Sequence, residues 1–372
     1  MNNNINFNFD RLNDNPNNEI FTKNINSLFT EIKDIDFTTI GKIGIKKLFN
    51  QSFKLRNRFL DYTSKQNSIN SFKIKEPIFV TGLPRSGTTF LHNLLIHAFN
   101  RDGLEFWELC EPIPYSKNIF FDKKFRKMRT FIIYFLYRTL IPKLQLMHPV
   151  KITSYEECWH LFKLNLGIYN LDFQYNINNY GKWISENTID QTYSEYKMLL
   201  KIISINSNKN KLVLKCPEHM LYHKQLTDNF KDGKILWIHR DPVKVISSYS
   251  SMTYEIQKFF LKNTSKKSVG EYVKNKYFEM INICLKNRSK YNLNIIDINY
   301  VDLKNNPEQT ILTLSNNINV KIKTKKPFLG IKNLNKLKSR HKYTPEEFGL
   351  KKNDIYRQFD NYIKQFKIQL EF

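Results

Sequence analysis

The stretch Ile78-Phe79-Val80-Thr81-Gly82-Leu83-Pro84-Arg85-Ser86-Gly87-Thr88-Thr89-Phe90-Leu91 constrains this chain more than any other. A β-branched and aromatic run ends at Gly82, a turn follows, and an amphipathic pattern begins at Thr88. That order predicts a strand, a tight loop and a helix, with glycines where backbone must come close to something. Free N–H groups at a helix N-terminus, together with the positive end of its dipole, make an anion cradle. The spacing from Gly82 to Gly87 is that of the Walker phosphate loop, but Thr88 stands where that loop needs Lys. The cation sits earlier instead, at Arg85 inside the turn.

The rest of the chain alternates. Helical spacing covers two segments between Ile25 and Tyr62, then the helix from Gly87 to Phe99. A short strand is expected to end near Trp107, and an aromatic segment from 115 to 150 reads as helices over one end of a sheet or as a lid. Tyr155 to Leu161 opens another helix. Further helices are predicted at Thr192–Ile205, Glu218–Phe230, Pro242–Ser251, Val269–Lys290 and Pro307–Leu314. Strands are predicted at Lys211–Lys215, Lys234–His239 and Leu293–Ile298. Strands alternating with helices indicate an α/β fold with a parallel, doubly wound sheet, whose ligands bind outside the carboxyl ends of the strands. Residues 1–20 are Asn-rich and expected to be disordered. Residues 21–372 read as a single domain with a helical, aromatic insertion at about 112–206.

With 59 Lys and Arg against 34 Asp and Glu, the net charge is +25. Such a balance favours anionic partners: nucleotides, sulfated or phosphorylated molecules, nucleic acid or an acidic membrane face. The basic residues are scattered rather than gathered in one arm, and no nucleic-acid recognition module is apparent, so no nucleic acid is expected. Cys110, Cys158, Cys216 and Cys284 lie far apart, without zinc spacing, which fits a reducing compartment. The N-terminus has no signal-peptide pattern. The greasiest window, Phe131 to Tyr137, falls short of the roughly 18 to 20 apolar residues of a membrane span. A cytoplasmic protein is expected, with peripheral membrane contact left open.

Two further stretches share the chemistry of the first loop. Leu236 to Pro242 is a buried strand delivering Arg240 into a turn, and Ser248 follows eight residues later on the same helix face. An arginine suited to a bidentate phosphate grip, with a hydroxyl beside it, makes a second anion site. Between the two lies Leu214-Lys215-Cys216-Pro217-Glu218-His219, where Lys215 ends a strand.

These residues resemble the P-loop-like sulfotransferases, closest to the group with a Pro-Arg-Ser-Gly-Thr-Thr loop. The matches are Pro84 to Thr89, Trp107-Glu108-Leu109, Leu214 to His219, His239 to Pro242, and His341-Lys342-Tyr343 with Phe348-Gly349-Leu350. The resemblance covers about residues 76 to 365. It implies a P-loop-like three-layer sandwich, a central parallel sheet flanked by helices beneath a mostly helical cap. It also implies 3′-phosphoadenosine 5′-phosphosulfate (PAPS) as sulfuryl donor, with no metal.

Carried over position by position, Pro84, Arg85, Ser86, Gly87, Thr88 and Thr89 would hold the 5′-phosphosulfate, and Arg85 would neutralise charge on the bridging oxygen. Lys215 would face the transferred group. Arg240 and Ser248 would bind the 3′-phosphate, and Lys338, Arg340, His341 and Lys342 would close over it. For the base that takes the acceptor's proton, Glu108 is the first choice, 23 residues beyond Arg85; His219 is second, and His148 and Glu157 come third. The rivals are a P-loop kinase or nucleotide triphosphatase, a non-enzymatic binder of nucleic acid or membrane, and a nucleotide-binding fold without catalysis. The aromatic content of 115–170 favours a small apolar or phenolic acceptor or a lipid-like alcohol, with a hydroxyl or an amine as the group that takes the sulfuryl. Core beneath a helical cap accounts for it equally well.

Overall fold

The computed structural model describes residues 18–140, 143, 147, 149–329 and 343–371. Four parallel strands, β1 (Ile78–Thr81), β2 (Val213–Lys215), β3 (Lys234–His239) and β4 (Ile295–Asn299), form one sheet in the order β2-β1-β3-β4. Val80 pairs with Lys215 on one side and Leu236 on the other, and His239 with Asn299. Every residue of β1 is buried, as expected for the centre of a parallel sheet covered on both faces.

The helices follow from the sequence patterns, with a few shifts. In chain order they include α1 (Glu19–Ile32), α2 (Thr39–Lys65), α3 (Thr88–Phe99), α4 (Phe106–Cys110), α5 (Ile119–Leu140), α6 (Ile189–Ser207), α7 (Pro242–Phe260), α8 (Lys266–Lys290) and α9 (Pro307–Ile318). Period-two alternation splits the strands between two cores. Ile78, Val80, Leu236 and Ile238 pack with Leu91, Leu95 and Ala98 of α3 and Ile311 and Leu314 of α9. Phe79, Leu214, Ile235 and Trp237 face the larger cluster, built from α1, α2, α6, α7 and α8. The result is the expected three-layer α/β arrangement.

Two local expectations change. The strand near Trp107 is α4, because Glu105 and Glu108 form a reciprocal capping box that nucleates a turn there. The disordered start expected for residues 1–20 lies outside the described residues up to 17, and from Glu19 the chain is helical with Ile20 and Phe21 buried. The second half of the insertion contributes to the core: Phe162, Tyr193 and Tyr196 are buried and pack against His219. α5 differs, with Phe120, Phe131 and Phe135 exposed.

The N-terminus of α2 docks end-on against the C-terminus of α7. Thr38 caps α2 through Gly41 N (2.9 Å), while its own N–H and hydroxyl bond Phe260 O (2.9 Å) and Phe259 O (2.8 Å). A Cβ at Gly41 would fall 2.2 Å from Phe260 O. Alanine is ordinarily the better helix former by about 1 kcal/mol. Here Gly41→Ala is nonetheless expected to destabilise the fold by about 1–3 kcal/mol, because backbone rather than a side chain must yield. Urea unfolding of the variant against the parent checks this.

Candidate active site

The loop after β1 is shaped by three left-handed residues. Gly82 has φ 142°, Arg85 φ 73° and Gly87 φ 102°. A Cβ at Gly82 would meet Ile238 O at 2.7 Å, and one at Gly87 would meet the Tyr300 ring at 2.5 Å. Glycine is therefore required where the loop crosses β3 and where α3 begins. Gly87 is the N-cap of α3 and offers no side chain to cap it. The first-turn N–H groups and the Thr88 and Thr89 hydroxyls thus stand at an uncapped, electropositive helix end. Beneath the turn, the buried Ser86 hydroxyl has no hydrogen-bond partner. These features fit an anionic group.

The turn after β3 abuts this loop. Asp241 caps α7 through Val243 N (2.8 Å), and Pro242 opens the helix. Arg240 Nη1 donates to Arg85 O (3.1 Å), and Arg85 Nε donates to Ser248 Oγ (3.1 Å). The two corners expected from sequence to grip anions are therefore neighbours across the β1–β3 pair. Two partners of Arg240 carried no sequence signal. Its guanidinium lies 4.0 Å over the Tyr300 ring, just beyond β4. Nε and Nη2 also form a fork onto Glu371 Oε1 (2.6 Å) and Oε2 (3.0 Å), 131 residues further on.

Lys215 completes the cluster from the end of β2. Its ammonium is fully buried and donates to Thr89 Oγ1 (3.0 Å), with Glu157 Oε1 at 3.2 Å and Glu156 Oε2 at 3.9 Å. Burial works against the charge, but the two carboxylates outweigh it and hold the Lys215 pKa above its ordinary value. On the other side, Tyr277 donates to Pro84 O (3.3 Å) and stacks on Tyr249. Two bonded groups, Arg240–Arg85–Ser248 and Thr89–Lys215–Glu157, thus share the loop after β1 at the carboxyl ends of β1, β2 and β3. Among the described residues no group of His, Cys, Asp and Glu side chains is placed to hold a metal ion.

Two favoured base candidates lie elsewhere. Glu108 accepts from Glu105 N (2.7 Å), Ser207 Oγ (2.7 Å) and Lys209 Nζ (2.6 Å), so both oxygens are committed. Ser207 and Lys209 precede β2, placing Glu108 by the end of that strand remote from Lys215. His219 is buried between Tyr193 OH (2.7 Å to Nδ1) and Tyr196 OH (3.2 Å to Nε2), and burial pushes its pKa down to about 3. Both ring nitrogens are occupied in the core. His148 and the segment with Lys338, Arg340, His341 and Lys342 lie outside the described residues.

Glu218, beside Lys215 in sequence, is also buried. Its Oε1 accepts from Asn170 N (2.8 Å), and its Oε2 has no partner. Burial, with the charges of Glu157 and Asp172 adding to it, raises its pKa from 4.5 to about 8. A carboxyl that gains a proton on folding contributes stability that is full below its unfolded pKa and declines as pH rises through its folded one. Between about pH 4.5 and pH 8 the parent should therefore lose stability. Glu218→Gln should abolish that slope and be the more stable protein at the alkaline end, as urea unfolding across the window will show.

Comparison with known proteins bears on the family and the fold. The family model described as "Sulfotransferase family" matches residues 77–323. Among solved structures, sulfotransferase STF9 from Mycobacterium avium superposes with a TM-score of 0.76 at 18% identity, covering 95% of this chain and 92% of that one. Sulfotransferase STF1 from Mycobacterium tuberculosis H37Rv gives a TM-score of 0.75 at 20% identity, covering 95% of each chain. These two likenesses are of fold. No curated protein sequence matches the chain significantly. The family match spans most of the chain and includes the loop after β1, the end of β2 and the turn after β3: the chain belongs to the sulfotransferase family.

Proposed function

We propose that this sulfotransferase moves a sulfuryl group from PAPS to the hydroxyl of a small apolar or phenolic acceptor by in-line displacement. The observation that carries the reading is the contact between the two corners, Arg240 to Arg85 O and Arg85 to Ser248 Oγ. One nucleotide with charge at both its 5′ and 3′ positions suits that adjacency. The N–H groups of Arg85, Gly87, Thr88 and Thr89 would hold the 5′-phosphosulfate, that of Ser86 being spent on Leu83 O (3.1 Å), and Arg240 with Ser248 would hold the 3′-phosphate. Arg85 would stabilise charge on the departing bridging oxygen, and Lys215 would fix Thr89 while adding positive potential. The donor supplies the activated sulfur, as in phosphoryl transfer, where positioning and charge stabilisation do most of the catalysis.

Glu157 is the base in this scheme, displacing the first choice from sequence. It lies 3.2 Å from Lys215 Nζ and is partly open to solvent, whereas Glu108 and His219 are fully engaged elsewhere. The acceptor O–S bond forms, the S–O bond to the 5′-phosphate breaks with its electron pair on the phosphate oxygen, and the acceptor proton passes to Glu157. The buried rings of Tyr249 and Tyr277 beside Pro84 support an apolar acceptor. All four cysteines are free, which supports work in a reducing cytoplasm.

Calorimetry should show adenosine 3′,5′-bisphosphate binding well ahead of ATP, and PAPS should sulfate members of a phenol and alcohol panel. Glu157→Gln should keep nucleotide binding and lower turnover by about 10²–10⁴-fold. Preference for ATP, or parental turnover in the variant, overturns the reading. Glu371 bears on the same site, because its carboxylate holds the guanidinium edge a 3′-phosphate would use. Glu371→Gln should tighten adenosine 3′,5′-bisphosphate binding by about tenfold, the scale of one charged contact.

A further inference from the structure

α5 is a helix of 22 residues, roughly 33 Å long, whose outer face has no cover among the described residues. Phe121, Met128 and Phe135 recur at intervals of seven, and Phe120, Phe131 and Ile132 fall beside them on the same face. All six are more than half exposed, Phe120 at 81%. An isolated exposed phenylalanine is ordinary; a contiguous stripe is not. The inward face is specified separately. Asp122 and Arg126 pair at 2.7 Å and are buried, and Tyr134 OH donates to Val150 O.

The charges on the helix are one-sided. Asp122 is its single acidic residue, against Lys123, Lys124, Arg126, Lys127, Arg129 and Arg138. With Asp122 buried, the outward charge is all positive. Lys124 lies within the aromatic stripe, and Lys123, Lys127 and Arg138 flank it. Two copies meeting through this face would oppose like charges, whereas an anionic bilayer satisfies both rings and ammonium groups. The helix is not apolar enough to cross a membrane. A strongly amphipathic basic helix with an aromatic stripe lies in the interface plane instead.

We propose that α5 docks the enzyme on an anionic lipid bilayer, with Phe120, Phe121, Met128, Phe131 and Phe135 in the acyl boundary and the flanking cations among the headgroups. Met147, a few residues beyond the helix, accepts from Arg85 Nη1 through its carbonyl (3.1 Å), so the chain that follows α5 touches the candidate active site. Docking through α5 is independent of the identity of donor and acceptor.

Flotation of the full chain with mixed phosphatidylcholine–phosphatidylglycerol vesicles, and with phosphatidylcholine alone, provides that test. Binding is expected to the anionic vesicles. It should fall by about tenfold or more in a Phe120→Ser/Phe131→Ser/Phe135→Ser variant and in a Lys123→Gln/Lys124→Gln/Arg138→Gln variant. Phe120→Ser alone, at the most exposed ring, should give a smaller loss and serves if the triple variant unfolds. Undiminished binding of the aromatic variants would assign vesicle affinity to the general +25 charge and overturn the proposal. So would absence of binding, or a lipid-free dimer in sedimentation that the same substitutions dissolve.

Discussion

The hydrogen bond from Arg240 to the carbonyl of Arg85 is the constraint on which the candidate site depends. Arg85 has a left-handed backbone, a conformation that costs a non-glycine residue about 1–2 kcal/mol. Charge-assisted hydrogen bonds of about 1.5–3 kcal/mol offset a cost of that size. The carbonyl of the strained residue is the acceptor, so the strain and its compensation sit on the same peptide. Because β1 and β3 are paired neighbours, the loop after one and the turn after the other then behave as a single rigid unit. Ser248, one arm further along α7, locks the Arg85 side chain as well as its backbone.

How much of this was legible depends on the range of the interaction. The loop after β1 announced itself because its demands are local: glycine where a Cβ would strike Ile238 or Tyr300, and hydroxyls at a helix start. The sheet was legible for a similar reason, since each strand is a short apolar run between helical spacings. The location of Glu108 was not legible, because its distance along the chain from Arg85 says nothing about which end of the sheet it reaches. Its real partners, Ser207 and Lys209, come from a helix C-terminus a hundred residues away. The Glu105–Glu108 capping box was available as a signal, but an aromatic run flanking Trp107 reads equally well as a strand. Glu371 and Tyr300 were beyond reach, being ordinary residues that matter only through where β4 and the C-terminal segment place them.

The region between about 112 and 206 divides along the same line. Its aromatic content suggested either a pocket wall or a core, and sequence could not separate the two. The structure assigns Phe162, Tyr193 and Tyr196 to packing around His219, which explains how a histidine in a family-matching stretch becomes a core residue. In α5 the same residue types point outward, and the burial of Asp122, Arg126 and Thr130 reveals which face is turned in.

The environment of Lys215 also restricts how such a chain can drift. Its ammonium is sealed between Glu156, Glu157 and Thr89, and breaking a buried ion pair by removing one partner costs about 3–5 kcal/mol. A neutral residue in place of the lysine would strand two carboxylates against each other. A neutral residue at either glutamate would leave the cation undercompensated. Positions 156, 157 and 215 are therefore energetically coupled, and descendants of this sequence should carry them as a linked set long after the surrounding surface has diverged.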